Sequence, residues 1–340
     1  MPDREFEHIL VAGGAGFIGS SFVKLVRRTR PKTRVTVLDK LTYAGNLANL
    51  AELEADPGYR FVQGDICDRE LVGRLAGEVE AIVNFAAETH VDRSLEAAFD
   101  FVLTDVLGTV SLCEAARQHG HEVFLQVSTD EVYGHVPDGR TPEDYPFRPR
   151  SPYAASKAGG ELLARSYVES FGLPLLVTRG SNTYGPYQYP EKIVPLFITN
   201  ALDGRPLPVY GDGSAVRDYV FVEDHCRAID LVLARGEPGQ AYNVGTGVET
   251  DGRSVARTVV ELTGADPSLI QRVADRAGHD YRYSLETRRI RELGWTPEVD
   301  FASGIRKTVD WYRANEAWWR PLKSGEFWEF YKRNYRPAAG

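Results

Sequence analysis

The first half of the chain alternates short apolar runs with longer amphipathic ones. Residues 8–12, 34–39, 59–63, 81–85, 123–128 and 175–178 are rich in Val, Ile and Leu without strict alternation. That pattern is expected of parallel strands buried on both faces. Between them, 20–30, 97–119 and 152–171 read as helices. Repeated strand and helix units predict an α/β class chain with a doubly wound (Rossmann) parallel sheet over 1–180. Past about Thr178 the pattern changes, and 182–190 sets Tyr184, Tyr187 and Tyr189 among Gly185, Pro186 and Pro190. Residues 181–340 are therefore expected to form mainly a smaller α+β domain that closes over the sheet edge. Segments at about 215–245 are expected to return to the first domain. The aromatic tail 311–335, with Trp318, Trp319 and Trp328, reads as a terminal helical cap.

The bulk numbers narrow the class little. At 340 residues the chain is long enough for one large and one smaller domain. The hydrophobic fraction is 43% and the charged fraction 26%, as in ordinary globular proteins. A formal net charge of -8 argues against a nucleic-acid or anionic-membrane partner, although local arginines can still meet a pyrophosphate. Cys67, Cys113 and Cys226 lie far apart with no zinc-like spacing. A disulfide framework and a metal site are not expected, and a reducing compartment fits. No apolar run approaches the length of a membrane helix, and residues 1–5 carry no apolar leader, so a cytoplasmic location is expected.

Candidate chemistry begins at the first strand-to-helix turn. Gly13, Gly16 and Gly19 form a G-x-x-G-x-x-G variant of the dinucleotide fingerprint. Such glycines permit a tight turn, close approach of a pyrophosphate and close helix packing, while the helix N-terminus offers free N–H groups. Asp39 ends the second strand. A carboxylate there accepts from a ribose 2′-hydroxyl and repels a 2′-phosphate, which favours NAD over NADP. The bland alternative is a structural glycine turn with Asp39 at a strand end.

Two further patterns carry proton chemistry. Ser151-Pro152 is a good helix start, and it places Tyr153 and Lys157 four residues apart on one helical face. A nearby ammonium and a cationic nicotinamide would lower the phenol pKa and make Tyr153 a base. Thr129-Asp130-Glu131 follows the fifth strand, where ligands of doubly wound sheets bind. Adjacent carboxylates there can divide acid and base duties if their surroundings separate their pKa values. The same triplet also reads as a helix N-cap.

The glycine turn, Asp39 and the Tyr153/Lys157 pair together resemble the extended short-chain dehydrogenase/reductase family. Residues 39–46, 85–94, 128–134, 184–192 and 275–280 narrow the resemblance to the dTDP-glucose 4,6-dehydratases, over nearly the whole chain. Sugar-nucleotide epimerases usually lack the Asp130-Glu131 pair. The resemblance implies a homodimer in which 1–180 binds NAD and 181–340 mainly binds a nucleotide sugar. It implies that Tyr153 takes the 4-hydroxyl proton with Lys157 beside it, Thr129 orients the 4-oxygen, Glu131 takes the C5 proton and Asp130 protonates the departing 6-hydroxyl. Cofactor contacts carry over to Gly13, Gly16, Phe17, Ile18, Gly19, Asp39, Lys40, Thr42, Asp65, Ile66, Phe85, Ala86, Ala87, Thr104 and Thr183. Tyr153 and Lys157 belong to the same set. Substrate contacts carry over to Thr89, Thr129, Asn182, Lys192, Ile193, Pro208, Val209, Tyr210, Arg217, Asn243, Asp275, Arg276 and His279.

The chain departs from that pattern in places. Thr183 stands where a second asparagine is usual, Asp105 where asparagine is commoner, and Thr250-Asp251-Gly252 is less typical. Two other readings compete. One is an epimerase or decarboxylase of the same fold, opposed by the acid pair. The other is a redox-silent NAD-binding scaffold, opposed by the retained Tyr153 and Lys157.

Overall fold

The computed structural model describes residues 3–275 and 278–335. The apolar runs form strands β1 (His8–Ala12), β2 (Arg34–Asp39), β3 (Tyr59–Gln63), β4 (Ala81–Asn84), β5 (Val123–Thr129) and β6 (Leu175–Gly180). A late strand, β10 (Ala241–Val244), completes a seven-stranded sheet in the order β10-β6-β5-β4-β1-β2-β3, with every pair parallel. Strand order reverses between β1 and β4. The connections leave these two strand ends toward opposite sides and open a crevice beyond them. Both faces of the sheet are covered, which is why its strands need no polar alternation. Helices α1 (Phe17–Thr29) and α8 (Val222–Arg235) pack on one face through Phe22, Val26, Ile229 and Leu233. On the other face lie α2 (Arg69–Ala76), α5 (Thr109–His119) and α6 (Pro152–Phe171), through Val72, Leu75, Leu112, Ala116 and Ala164.

A second body holds β7 (Asn182–Tyr184), β9 (Val216–Phe221) and β11 (Glu249–Asp251) in one small sheet, and β8 (Leu207–Tyr210) with β12 (Ile270–Val273) in another. Its aromatic core joins α7 (Ile193–Leu202), α9 (Gly252–Thr263), α11 (Phe301–Ala314), α12 (Glu316–Trp319) and α13 (Gly325–Asn334). The tail thus packs as helices, with Trp319 and Phe327 buried. Residues 222–244 return to the large sheet, because α8 lies against α1 and β10 pairs with β6.

Two helices differ from the sequence pattern. The first begins at Phe17 rather than Ser20, because the glycine turn feeds the helix directly. The stretch 97–119 is not one helix. After α3 (Val91–Glu96) it divides into α4 (Ala98–Val102), a π-helical turn at Leu103–Gly108, and α5. Tertiary packing accounts for the break. The π turn presses on α6 so closely that a Cβ on Gly160 would lie 2.1 Å from the Asp105 carbonyl oxygen. Helix α6 itself follows its signals: Ser151 accepts from the Ala154 N–H at 3.1 Å, and Gly172 ends the helix at φ 67°.

One buried ion pair ties these elements together. Arg179 on β6 and Glu161 on α6 are 1% and 0% exposed. The Arg179 guanidinium also donates to the Glu143 carbonyl (2.7 Å) and to the Tyr133 hydroxyl. Removing one partner strands a charge in a dry interior. We expect Glu161→Ala to cost about 3–5 kcal/mol in urea denaturation, and a Glu161→Met/Arg179→Met double variant to cost far less.

Candidate active site

The crevice beyond β1 and β4 is built first by backbone. Gly13 sits at φ 74°, and a Cβ there would lie 2.4 Å from the Ala86 amide nitrogen. A Cβ on Gly19 would lie 2.3 Å from the Gly13 carbonyl oxygen. Only glycine allows the turn, α1 and the β4 exit to meet this closely. Gly16 precedes α1 without a side-chain cap, and the first turn of α1 carries no acidic residue, so its amides remain available to an anion. Gly13, Gly16, Phe17, Ile18, Gly19, Asp39, Lys40, Thr42, Asp65, Ile66, Phe85, Ala86, Ala87, Thr104, Tyr153 and Lys157 all line this one cleft.

Asp39 accepts from the Ala15 N–H (2.9 Å) and the Leu41 N–H (2.8 Å). Burial pushes its pKa up, and these two amides pull it down. Each carboxylate oxygen keeps a second lone pair, so ribose hydroxyls can still be accepted. Lys40 pairs with Asp65 at 2.7 Å across the mouth. The donor set fits a dinucleotide: helix amides for the pyrophosphate, a carboxylate for the ribose, and a buried Ser128 hydroxyl in the cleft with no partner among the described residues.

A second cleft adjoins the first, and Lys192 lines both. Its walls bring together Glu131, Asn182, Ile193, Pro208, Val209, Tyr210, Arg217 and His279. Among the described residues Arg217 makes no salt bridge. Its guanidinium donates to the backbone carbonyls of Asp280 (2.7 Å) and Val216 (2.8 Å) and lies over the Tyr283 ring. Asp275 sits behind His279, bonded to its Nδ1 at 2.7 Å. Arg276 lies outside the described residues. Thr89 lines the first cleft rather than the second.

Among the described residues four expected contacts line neither cleft: Asn243, Thr183, Thr129 and Asp275, the last behind His279. Asn243 is fully buried on β10, where its amide donates to the Thr141 (2.9 Å) and Glu286 (3.1 Å) carbonyls and accepts from Tyr133. Its polar groups are consumed in holding the turn after β5, and it is a structural residue. The Thr183 hydroxyl pairs with His225 Nδ1 at 2.7 Å and lies outside the cofactor cleft. Conversely, Tyr335 lines the substrate cleft and packs on Tyr210 with ring centroids 5.4 Å apart. His90, Asp92, Tyr219 and Tyr283 line it too. For Tyr335 the sequence offered only a tail dense in aromatics.

The reacting groups cluster where the clefts meet. Thr129 closes β5 and caps the 3₁₀ turn Asp130–Tyr133, accepting from the Glu131 N–H at 3.3 Å. The helix-cap reading therefore holds for Thr129, whose hydroxyl also donates to Asp130 Oδ1 at 3.3 Å. Asp130 is 2% exposed, and its Oδ2 has no hydrogen-bond partner among the described residues. Burial, and after it the charge of Glu131, hold its pKa well above the carboxylate range, against the pull of Arg217. A carboxyl whose pKa is pushed up in this way suits the acid role of such a pair.

The buried Lys157 ammonium donates to the Val127 carbonyl at 3.0 Å. Desolvation lowers its pKa, while Asp105 and Glu161 raise it. For Tyr153 the chain's own surroundings act against the lowering that an ammonium and a cationic nicotinamide are expected to bring. Among the chain's own groups burial comes first, followed by Glu131 and Asp105, and the phenol pKa stands well above its ordinary value. Among the described residues no cluster of His, Cys, Asp and Glu could hold a metal ion, and no helix is long and apolar enough to cross a membrane.

Comparison with known proteins fits this geometry. Residues 10–308 match the family model for GDP-mannose 4,6 dehydratase. A dTDP-glucose 4,6-dehydratase of Streptomyces niveus is 53% identical over 93% of this chain and 96% of that protein. The crystal structure of DesIV, a dTDP-glucose 4,6-dehydratase of Streptomyces venezuelae with NAD and TYD bound, superposes with TM-score 0.91 at 53% identity, covering 93% of this chain and 100% of that one. A UDP-glucose 4-epimerase of Thermus thermophilus with NAD shares the fold at TM-score 0.84 and 38% identity, over 91% and 99% of the two chains. The chain belongs to the NAD-dependent nucleotide-sugar 4,6-dehydratase family, and several relatives about half identical to it are dTDP-glucose 4,6-dehydratases.

Proposed function

We propose that this chain dehydrates dTDP-glucose to the 4-keto-6-deoxy sugar. The observation that carries this reading is the Asp130-Glu131 pair, one carboxyl buried with its pKa pushed up and the other in the substrate wall. The fold alone cannot choose, since epimerases share it. The body on the seven-stranded sheet serves as the NAD-binding unit, and the smaller body holds the sugar nucleotide.

Bound NAD supplies the hydride acceptor for C4 and the donor for C6. Tyr153 takes the proton of the 4-hydroxyl, and Thr129 hydrogen-bonds the 4-oxygen. Because the chain alone keeps Tyr153 protonated, its phenolate depends on the charge of Lys157 together with the cationic nicotinamide. The ketone at C4 acidifies the C5 hydrogen, which Glu131 removes. Asp130, its pKa raised by burial, protonates the 6-hydroxyl as it leaves, and a proton returns to C5 when C6 is reduced. Arg217 and His279 face the sugar nucleotide, with the planar guanidinium suited to its diphosphate.

The free thiols of Cys67, Cys113 and Cys226 fit a cytoplasmic setting. A homodimer is supported by apolar side chains left exposed on neighbouring helices: Leu95, Phe99, Val102 and Leu107 before and within the π turn, and Leu162, Leu163 and Phe171 on α6.

Incubation with dTDP-glucose in heavy water is expected to give a 4-keto-6-deoxy product with deuterium at C5 and no net reduction of NAD. Formation of a C4 epimer instead would sink the reading. In Asp130→Asn, kcat should fall by about 10²-fold or more, with the bound nicotinamide staying reduced long enough to see by absorbance. Equal loss of C4 oxidation would remove Asp130 from the acid role. Light scattering after gel filtration should show a dimer that Phe99→Glu with Leu163→Glu converts to monomer. A monomeric parent chain would refute the dimer.

A further inference from the structure

The irregular segment 185–192 joins β7 to α7 and runs along both clefts. Gln188, Tyr189 and Lys192 line the cofactor cleft, and Glu191 and Lys192 line the substrate cleft. A strap without a backbone ladder has to be held by its side chains. Its first half is held by Tyr187, whose backbone sits at φ 68°. The Tyr187 ring packs 4.6 Å from Trp311, with the Lys24 ammonium 3.6 Å from its centre. Its second half is held by an ion pair. Arg93 on α3 donates from Nε to Glu191 Oε2 at 2.9 Å and from a terminal nitrogen to Oε1. The fork is bidentate, and Glu191 is 2% exposed.

The same guanidinium holds a second wall of the cofactor cleft. Its central carbon lies 3.8 Å from the centre of the Tyr43 ring. Tyr43 belongs to the loop after β2, of which Thr42, Ala44 and Gly45 line that cleft, and its hydroxyl donates to the Thr89 carbonyl. The two walls touch where Tyr43 and Tyr189 meet edge to face, with centroids 5.6 Å apart. Arg93 thus grips the strap by a charge pair and the loop by its planar face. On its outer side lie Phe330 of α13, 5.1 Å from the guanidinium, and the exposed Glu326, at 3.7 Å.

We propose that Arg93 is a positioning residue, a latch that shuts the strap against the loop after β2 and keeps NAD in its cleft from one turnover to the next. This inference rests on the assignment of the first cleft to NAD. A dinucleotide lying along the glycine turn and Asp39 meets both walls, and it leaves only when Tyr189 and Tyr43 part. Parting them breaks both hydrogen bonds of the fork and takes the guanidinium from a buried carboxylate, which sets the barrier to opening. The reaction proposed above takes a hydride from C4 and returns it to C6. The cofactor ends as it began, so slow exchange with solution does not slow turnover.

Release of labelled NAD from the purified holoenzyme, chased with excess unlabelled NAD and without sugar nucleotide, reads the latch directly. In Arg93→Met it should be faster than in the parent chain by about tenfold or more. Glu191→Gln keeps the side-chain shape and should speed release to a similar degree, so the test survives a poorly folding arginine variant. The double variant should release no faster than the faster single one, because both open the same latch. KM for NAD should rise, while kcat at saturating NAD changes by less than about threefold. Glu326→Gln, on the outer side of the same arginine, should leave release unmoved. Parent-like release in Arg93→Met and Glu191→Gln, or effects that multiply in the double variant, would overturn the latch. An equal acceleration in Glu326→Gln would trace the effect to the tail and overturn it as well. A parent chain that holds labelled NAD but makes no 4-keto product would fail the dehydratase reading alone, and the release measurement would stand.

Discussion

The site depends on the buried Arg179–Glu161 pair more than on any group that would meet substrate. Glu161 lies on α6, two turns beyond Tyr153 and one beyond Lys157. Arg179 lies on β6, beside the β5 end that carries Thr129. Through Arg179 the same network reaches Tyr133, in the turn that contains Asp130 and Glu131, and Tyr133 in turn meets Asn243 on β10. The helix of the tyrosine and the turn of the acid pair are thereby held in one register. An ion pair this deep is weak evidence of net stability, but it strongly penalises any arrangement that separates its members. That penalty suits a site whose acids, base and oxidised carbon must coincide.

Burial is the second organising constraint, and it acts on each titratable group differently. It raises the carboxyls of Asp130 and Asp105, raises the Tyr153 phenol and lowers the Lys157 ammonium. The chain alone therefore holds its reacting groups toward neutrality. A cationic cofactor entering such a site has a large effect, because little else screens it. The cofactor cleft and the substrate cleft meet at Lys192, so charge brought by one ligand is felt where the other reacts.

Much of the fold was legible because its signals are local. Parallel strands covered on both faces must be apolar throughout, and β1, β4, β5 and β6 are buried along their whole length. The start of α6 followed from Ser151 and Pro152, and the glycine turn from its spacing. The π turn was not legible, since it arises from the meeting of Asp105 with Gly160, two residues remote in sequence. Asn243 and Thr183 were misplaced for a related reason. A polar residue near a strand end reads the same whether it faces a ligand or a neighbouring loop, and here Thr141, Glu286 and His225 claim them. Tyr335 enters the cleft only because the tail folds back over the small domain.

By itself the sequence determined the parallel sheet, the dinucleotide turn, the Tyr153–Lys157 stripe and the presence of two adjacent acids. All of these are set by spacing within a single element, where geometry follows from helix and strand repeat. Only the tertiary structure decided that burial pushes the Asp130 carboxyl up, that it pushes the Tyr153 phenol up as well, and that Asp105 lies against the catalytic helix. Those properties depend on desolvation and on charges brought together from distant segments. Electrostatic environment is a property of the packed volume, and no local pattern of residues encodes it.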